Sequence, residues 1–201
     1  MSNKLELPDG TPVTYDAGGS LFTARYVYKI YGLAFALTKV LVEDGDHISI
    51  GQTYSQHLAQ SMIETKELLA ANILNLSFSS LGNTVGGDGV SLINSAHPSA
   101  QGGSYSNVLG TPAALSQTSV EQLLIQVSTA VDDTGRRIQL DPQRLVVSPS
   151  NRFQAEVITK SALRSSSADN DINPIASTGA FSKGVQVITR LTSPKSWVTI
   201  H

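Results

Sequence analysis

The chain has 201 residues, 40% of them hydrophobic and only 15% charged, with a formal net charge of -2 and no cysteine. That length fits one domain or one domain with a small excursion, and that composition excludes a disordered chain. Disulfides, thiolate zinc sites and cysteine nucleophiles are excluded outright, and the charge gives no global case for nucleic-acid binding.

So few charges on so apolar a chain predict that part of the surface is buried against partners. Met1 to Gly10 is polar, without the apolar stretch of a signal peptide. No run approaches the roughly 20 apolar residues that span a bilayer. The sequence therefore reads as a soluble chain made in a cytoplasm.

Residues 11–38 read as β. Val13, Thr14 and Tyr15 form a first strand, and Ala17, Gly18, Gly19 and Ser20 make the turn. Phe22, Ala24, Tyr26, Tyr28 and Ile30 then alternate onto one face of a longer strand, with Arg25 and Lys29 on the other. A lone hairpin is marginal in water and needs a surface to lie on. That surface is either its own core or another subunit.

A short helical turn is expected over 39–44, followed by an acidic turn. Ser49 and Gln52 have capping-box spacing and open a long helix to about Phe78. Leu58, Met62, Thr65, Leu69, Ile73 and Leu76 mark its apolar stripe. At about 40 Å it is long for this chain and suits a spine.

Residues 79–115 are rich in Gly, Ser, Asn and Pro. They hold a Gly86-Gly87-Asp88-Gly89 turn and a short strand over 90–93. A connection this long is commonly functional or held by partners. A second helix starts near Thr118, capped with Glu121, and buries Val120, Leu123, Leu124, Val127 and Val131. Strands are expected at 137–140 and 144–147. Ser148 then caps a helix with Pro149 at its first position, running to about Leu163 with Phe153 and Val157 inward. A polar loop over 165–177 and strands at 185–191 and 197–200 complete the chain.

No reaction centre emerges. His47, His57, His97 and His201 have no metal-ligand spacing. Asp169 to Asn173 resembles half a calcium loop but lacks its glycine and its final glutamate, so a polar turn is the reading. The Gly86-Gly87-Asp88-Gly89 segment lacks the lysine and hydroxyl residue of a phosphate loop. Arg136-Arg137 reads as a solvated pair or an inter-subunit ion pair. Ser95, His97 and Asp88 lie close in sequence and define an alternative, a hydrolase, although no nucleophile elbow accompanies them. The expectation is no catalytic, metal or cofactor residue.

The order of segments carries more than any one motif. It comprises YKIYGLAF at 28–35, TKELLAANILN at 65–75, GGDGVSL at 86–92 and SAHP at 95–98. LS at 115–116, SVEQ at 119–122, DDTG at 132–135, LVV at 145–147, NDIN at 170–173 and SPKSW at 193–197 follow. This series resembles the major capsid proteins of tailed bacteriophages and prophages with the Hong Kong 97-type fold. The resemblance implies an α+β fold with an extended β-hairpin loop, a long spine helix, and peripheral and axial domains. The regions would be 1–38 for the extended loop, 39–115 for the peripheral domain with a spine helix at about 50–78, and 116–201 for the mainly axial part.

The implied function is a non-enzymatic shell subunit of the virion. It would assemble in the host cytoplasm into hexamers and pentamers of an icosahedral head enclosing double-stranded DNA without sequence-specific binding. Portal, scaffold and maturation protease would be its partners. The alternative within the fold is a nanocompartment shell around a cargo enzyme. Relatives of this kind are longer at both ends, so a trimmed sequence or an unusually small subunit is expected.

Overall fold

A computed structural model describes residues 22–81, 84–99, 102–132, 135–164 and 171–200. The architecture is mixed α/β: a long helix, a loop region, and a three-stranded sheet with helices against it.

Residues 22–38 form neither helix nor strand. The strand expected from Phe22 to Ile30 is therefore corrected to an unpaired strap. Alternation gives a segment two faces but no hydrogen-bond partner, and none of the described residues supplies one. The expected first strand at Val13–Tyr15 and its turn at Ala17–Ser20 lie outside the described residues.

Helix α1, Lys39–Glu43, is short and starts at Thr38, whose hydroxyl accepts from the Leu41 amide. Helix α2, His47–Asn75, has 29 residues and is about 44 Å long. It begins earlier than the Ser49 spacing predicts. Ser49 lies inside the first turn and donates to the Asp46 carbonyl, so it cannot cap. The hydroxyls of Thr53, Ser55 and Thr65 bond carbonyls four residues back, which lets a helix rich in hydroxyl residues keep them satisfied. Its apolar stripe is not a buried face: Leu58, Met62 and Thr65 are half-buried, Leu69, Ile73 and Leu76 are exposed, and Ala71 alone is buried.

The expected strand at 90–93 is a set of turns carrying one isolated bridge, Val85 to Ser91. The only regular pairing in this region among the described residues joins β1, His97–Pro98, to β2, Ser104–Tyr105. Helix α3, Gln117–Ser128, takes its capping box from Ser116 and Ser119, not from Thr118 and Glu121. Both serines are short enough to reach each other's backbone amide. Val120 is buried and Leu123, Leu124 and Val127 half-buried, but Val131 lies beyond the helix and is exposed. The expected strand at 137–140 reduces to a bridge between Val131 and Arg137.

Strand β3, Arg144–Val147, is the centre of the sheet. It runs parallel to β4, Val185–Val187, and antiparallel to β5, Trp197–Ile200, in the order β4-β3-β5. The strand expected over 185–191 stops at Val187. Pro149–Asn151 is a 3-10 turn leading into α4, Arg152–Lys160. The inward face of α4 is Ala155 and Ile158. Phe153 and Val157, expected inside, are exposed, and the helix ends before Leu163.

Within the expected polar loop, α5, Pro174–Thr178, is capped by Asn173 and closed by Gly179 in the left-handed region at φ 62°. Asn173 is itself buried and donates to the Ile158 and Ser161 carbonyls at the end of α4. One amide thus satisfies the ends of two helices.

The core is small and lies in this sheet region. Leu115, Val120, Leu145, Val147, Ala155, Ile158 and Ile175 pack together, with Leu124, Phe181 and Trp197 against them. Leu145 and Val147 face this core, as alternation along β3 requires.

Candidate assembly surface

The strap is held at two places. Near one end, Phe35 meets Tyr54 of α2 edge-on at 5.7 Å, and Leu37 lies beside Gly51, its Cδ1 3.7 Å from where a Cβ there would sit. At the other, the backbone of Thr23 and Ala24 crosses Gly87 so closely that a Cβ there would sit 2.9 Å from the Thr23 carbonyl carbon. Only glycine permits that approach. Between these ties the side chains stand free: Tyr28 is 100% and Ile30 99% exposed, and Tyr26, Val27 and Leu33 are exposed too.

Further large apolar residues are exposed along α2, at Ile48, Ile63, Leu68 and Ile73, and beyond it at Phe78 and Leu81. Single exposed apolar residues are ordinary, but this many large ones on a strap and on the long helix it is tied to mark surface kept for interaction.

The loop that receives the strap is pinned by Asp88 and His97. The His97 ring donates through Nδ1 to Asp88 Oδ2 at 2.6 Å, and Asp88 Oδ1 accepts from the Val90 amide. The ring stacks on Tyr105, its β2 partner, with centroids 5.1 Å apart. The hydrogen bond from His97 holds the Asp88 carboxyl below its ordinary value, against the opposing effect of burial.

Two of the three residues of the hydrolase alternative thus meet. Ser95 does not: it is exposed and makes no hydrogen bond to His97, whose Nε2 is buried with no partner among the described residues. A serine nucleophile needs that nitrogen as its base. The pair acts here as a loop pin. Among the described residues no group of three or more His, Asp or Glu could hold a metal ion, and no helix is long and apolar enough to cross a membrane. Asp171 and Asn173 of the half calcium loop are described, and Asn173 spends its side chain on helix ends.

A groove of about 770 Å³ opens between the end of α2, the 91–113 segment, α3 and β5. Its walls are mainly apolar, including Leu74, Phe78, Leu123, Val127 and Trp197. The surface therefore offers shape and apolar area.

The family model described as phage capsid protein matches residues 23–201. The chain belongs to the phage capsid protein family. No curated protein and no solved structure matches it. Membership makes this a structural protein of the virion, built to assemble with copies of itself into a shell. It also accounts for the capsid protein's outer surface, where apolar side chains that its own small core leaves out are kept for neighbours. Sequence reasoning reached the family through the order of segments. It missed the tie at Gly87, because nothing local to a glycine in a Gly-rich turn announces a strap crossing over it from more than 60 residues away.

Proposed function

We propose that this capsid protein is the head-shell subunit of a tailed phage, closing as hexamers and pentamers of an icosahedral shell around double-stranded DNA. In this reading the arrangement is of the Hong Kong 97 type. Residues 1–38 form the extended-loop region, 39–115 a peripheral part with α2 as its spine, and 116–201 a mainly axial part containing the sheet. Portal, scaffold and maturation protease are its partners in the phage, and no residue has a catalytic, metal-binding or cofactor-binding role.

The observation that carries the proposal is the strap together with α2. A chain that leaves Tyr26, Tyr28, Ile30 and Leu33 in solvent, beside a 29-residue helix that buries one residue, is stable and soluble only if these surfaces are covered in its working state. A head-to-tail ring of copies covers them repeatedly, because each subunit presents one surface and receives another. The spine assignment is supported by the length of α2, and the axial assignment by the separate core around β3.

The test is assembly of the full chain, followed by light scattering and negative-stain microscopy over a range of salt and protein concentrations. Closed, uniform particles with six-fold and five-fold clusters are expected. A protein that stays monomeric under every condition overturns the proposal, and an encapsulated protein cargo in place of DNA in particles isolated from the host favours the nanocompartment.

A further inference from the structure

We propose that the free edge of β5 and the groove beside it receive residues 26–33 of a second copy as an added strand. The inference rests on the shell reading and names the surface on which one subunit takes hold of the next.

The sheet ends at β5, which pairs only with β3 among the described residues. The alternation of the ladder says which of its backbone groups are spare. Leu145 gives its amide to Gly184 beside β4, and the Val147 carbonyl accepts from Ile188 on the same side. Val146 therefore turns toward β5 and meets Val198, leaving the amide and carbonyl of Trp197 and Thr199 pointing outward. An outward edge of this kind is a template for one more strand. Trp197, Val198, Thr199 and Ile200 all line the groove, so an added strand would find apolar walls as well as backbone partners.

The strap has the matching properties. It pairs with no strand among the described residues, and it is tied near both ends so that part of the entropy of ordering it has already been lost. Its residues divide by parity: Tyr26, Tyr28 and Ile30 fall on one face, and Arg25, Val27 and Lys29 on the other. The first face is uncharged, and the groove carries a single charged residue, Lys195. Seating Tyr26, Tyr28 and Ile30 inward leaves both strap cations in solvent. The donor is a second copy because no residue of 22–38 lines the groove of its own chain.

Trp197 is the only tryptophan, so its fluorescence reports the groove directly. A synthetic peptide of residues 22–35 contains none and is titrated against the unassembled full-length protein. A saturable blue shift of Trp197 emission is expected. A peptide with Tyr28→Lys and Ile30→Lys should bind at least tenfold more weakly, as should the wild-type peptide to Thr199→Pro, which removes an outward amide and leaves the β3 bonds alone. No shift at any peptide concentration, or equal binding by the lysine peptide, overturns the proposal whether or not Thr199→Pro folds.

Cysteine placement then identifies the donor, since the chain has no cysteine of its own. Mixed Tyr28→Cys and Thr199→Cys chains should cross-link to each other in assembled particles. Cross-linking confined to a doubly substituted chain shows the groove filled by its own strap and also overturns the proposal. Shells that form while the peptide fails to bind sink this docking site alone. Peptide binding without shells supports the site and sinks the shell reading.

Discussion

The side-chain amide of Asn75 donates to the Arg190 carbonyl at 3.0 Å while its Oδ1 accepts from the Thr192 amide at 2.9 Å. The last residue of α2 is thereby fastened to the segment between β4 and β5. Arg190 reaches back toward Glu64 and Glu67 on the same helix at 3.5 and 3.8 Å. The two kinds of contact are unequal. The ion pairs are about half exposed and contribute at most about 1 kcal/mol each, less in salt. The amide bonds fix backbone at both of its atoms. Asn75→Ala should cost about 1–3 kcal/mol and speed amide exchange at Thr192. Arg190→Ala should change the urea midpoint little, and less still at high salt. Equal losses from the two variants would show that the ion pairs, not Asn75, hold the helix.

Gly87→Ala tests the tie on the strap. The new methyl would lie 2.9 Å from the Thr23 carbonyl carbon and 3.0 Å from the Ala24 nitrogen, so the strap backbone must move. Little of the core depends on that crossing, and the global unfolding free energy should fall by less than about 1 kcal/mol. The local effect should be large. Arg25 and Lys29 are exposed trypsin sites within the strap, and the first-order rate of cleavage there should rise several-fold in Gly87→Ala. Unchanged cleavage would mean that the crossing at Gly87 does not restrain the strap.

Acid should release the loop pin. Folding lowers the Asp88 pKa, chiefly through the hydrogen bond from His97. The contact's contribution is therefore complete above the ordinary carboxylate value of 3.8 and is lost as pH falls through the lower folded value. Asp88→Asn should cost about 1.5–3 kcal/mol at neutral pH, the range for a hydrogen bond to a charged group. It should also flatten the decline in stability below about pH 4 relative to the unsubstituted chain. Urea unfolding at neutral and acid pH checks both. A variant whose stability falls in acid as steeply as the parent's would assign the slope to other carboxylates.

Much of the outline was legible because it rests on strong local rules. The apolar run Leu145-Val146-Val147 reads as a short strand and is one, with all three residues buried. The long helix is carried by residues 47–75, with no proline to stop it. What failed was the assignment of faces. Periodicity says that apolar residues seek cover but not whose, and a subunit with a small core and many neighbours divides its apolar residues between the two. Tyr28 alternates like a core residue and is fully exposed. Ser49 and Thr118 failed for a smaller reason: each has capping spacing, but α3 is already capped by Ser116, and α2 already runs from His47, after an Asp46 whose side chain makes no capping bond. The loop pin was legible only as a cluster of residue types. Its chemistry depends on Nδ1 of His97 meeting Asp88 while Ser95 makes no bond to the ring, which spacing cannot state.

Helix α4 gives the sharpest separation of the two uses of an apolar side chain. Phe153 is the larger residue and is 79% exposed, while Ala155 is 0% exposed within the core around β3. Size alone would rank Phe153→Ala as the damaging change, at the 3–5 kcal/mol typical of a buried phenylalanine. Exposure reverses the order. Phe153→Ala should leave the urea midpoint of the unassembled chain within about 0.5 kcal/mol, as surface substitutions do. Ala155→Leu, which adds three carbons where no space exists, should cost about 1–3 kcal/mol. If Phe153 is one of the side chains kept for a neighbour, Phe153→Ala should also raise the protein concentration needed for particles to form, with no matching loss of folding stability. A large loss of stability in the isolated Phe153→Ala chain would place that ring in the subunit's own core and return α4 to the orientation its sequence first suggests.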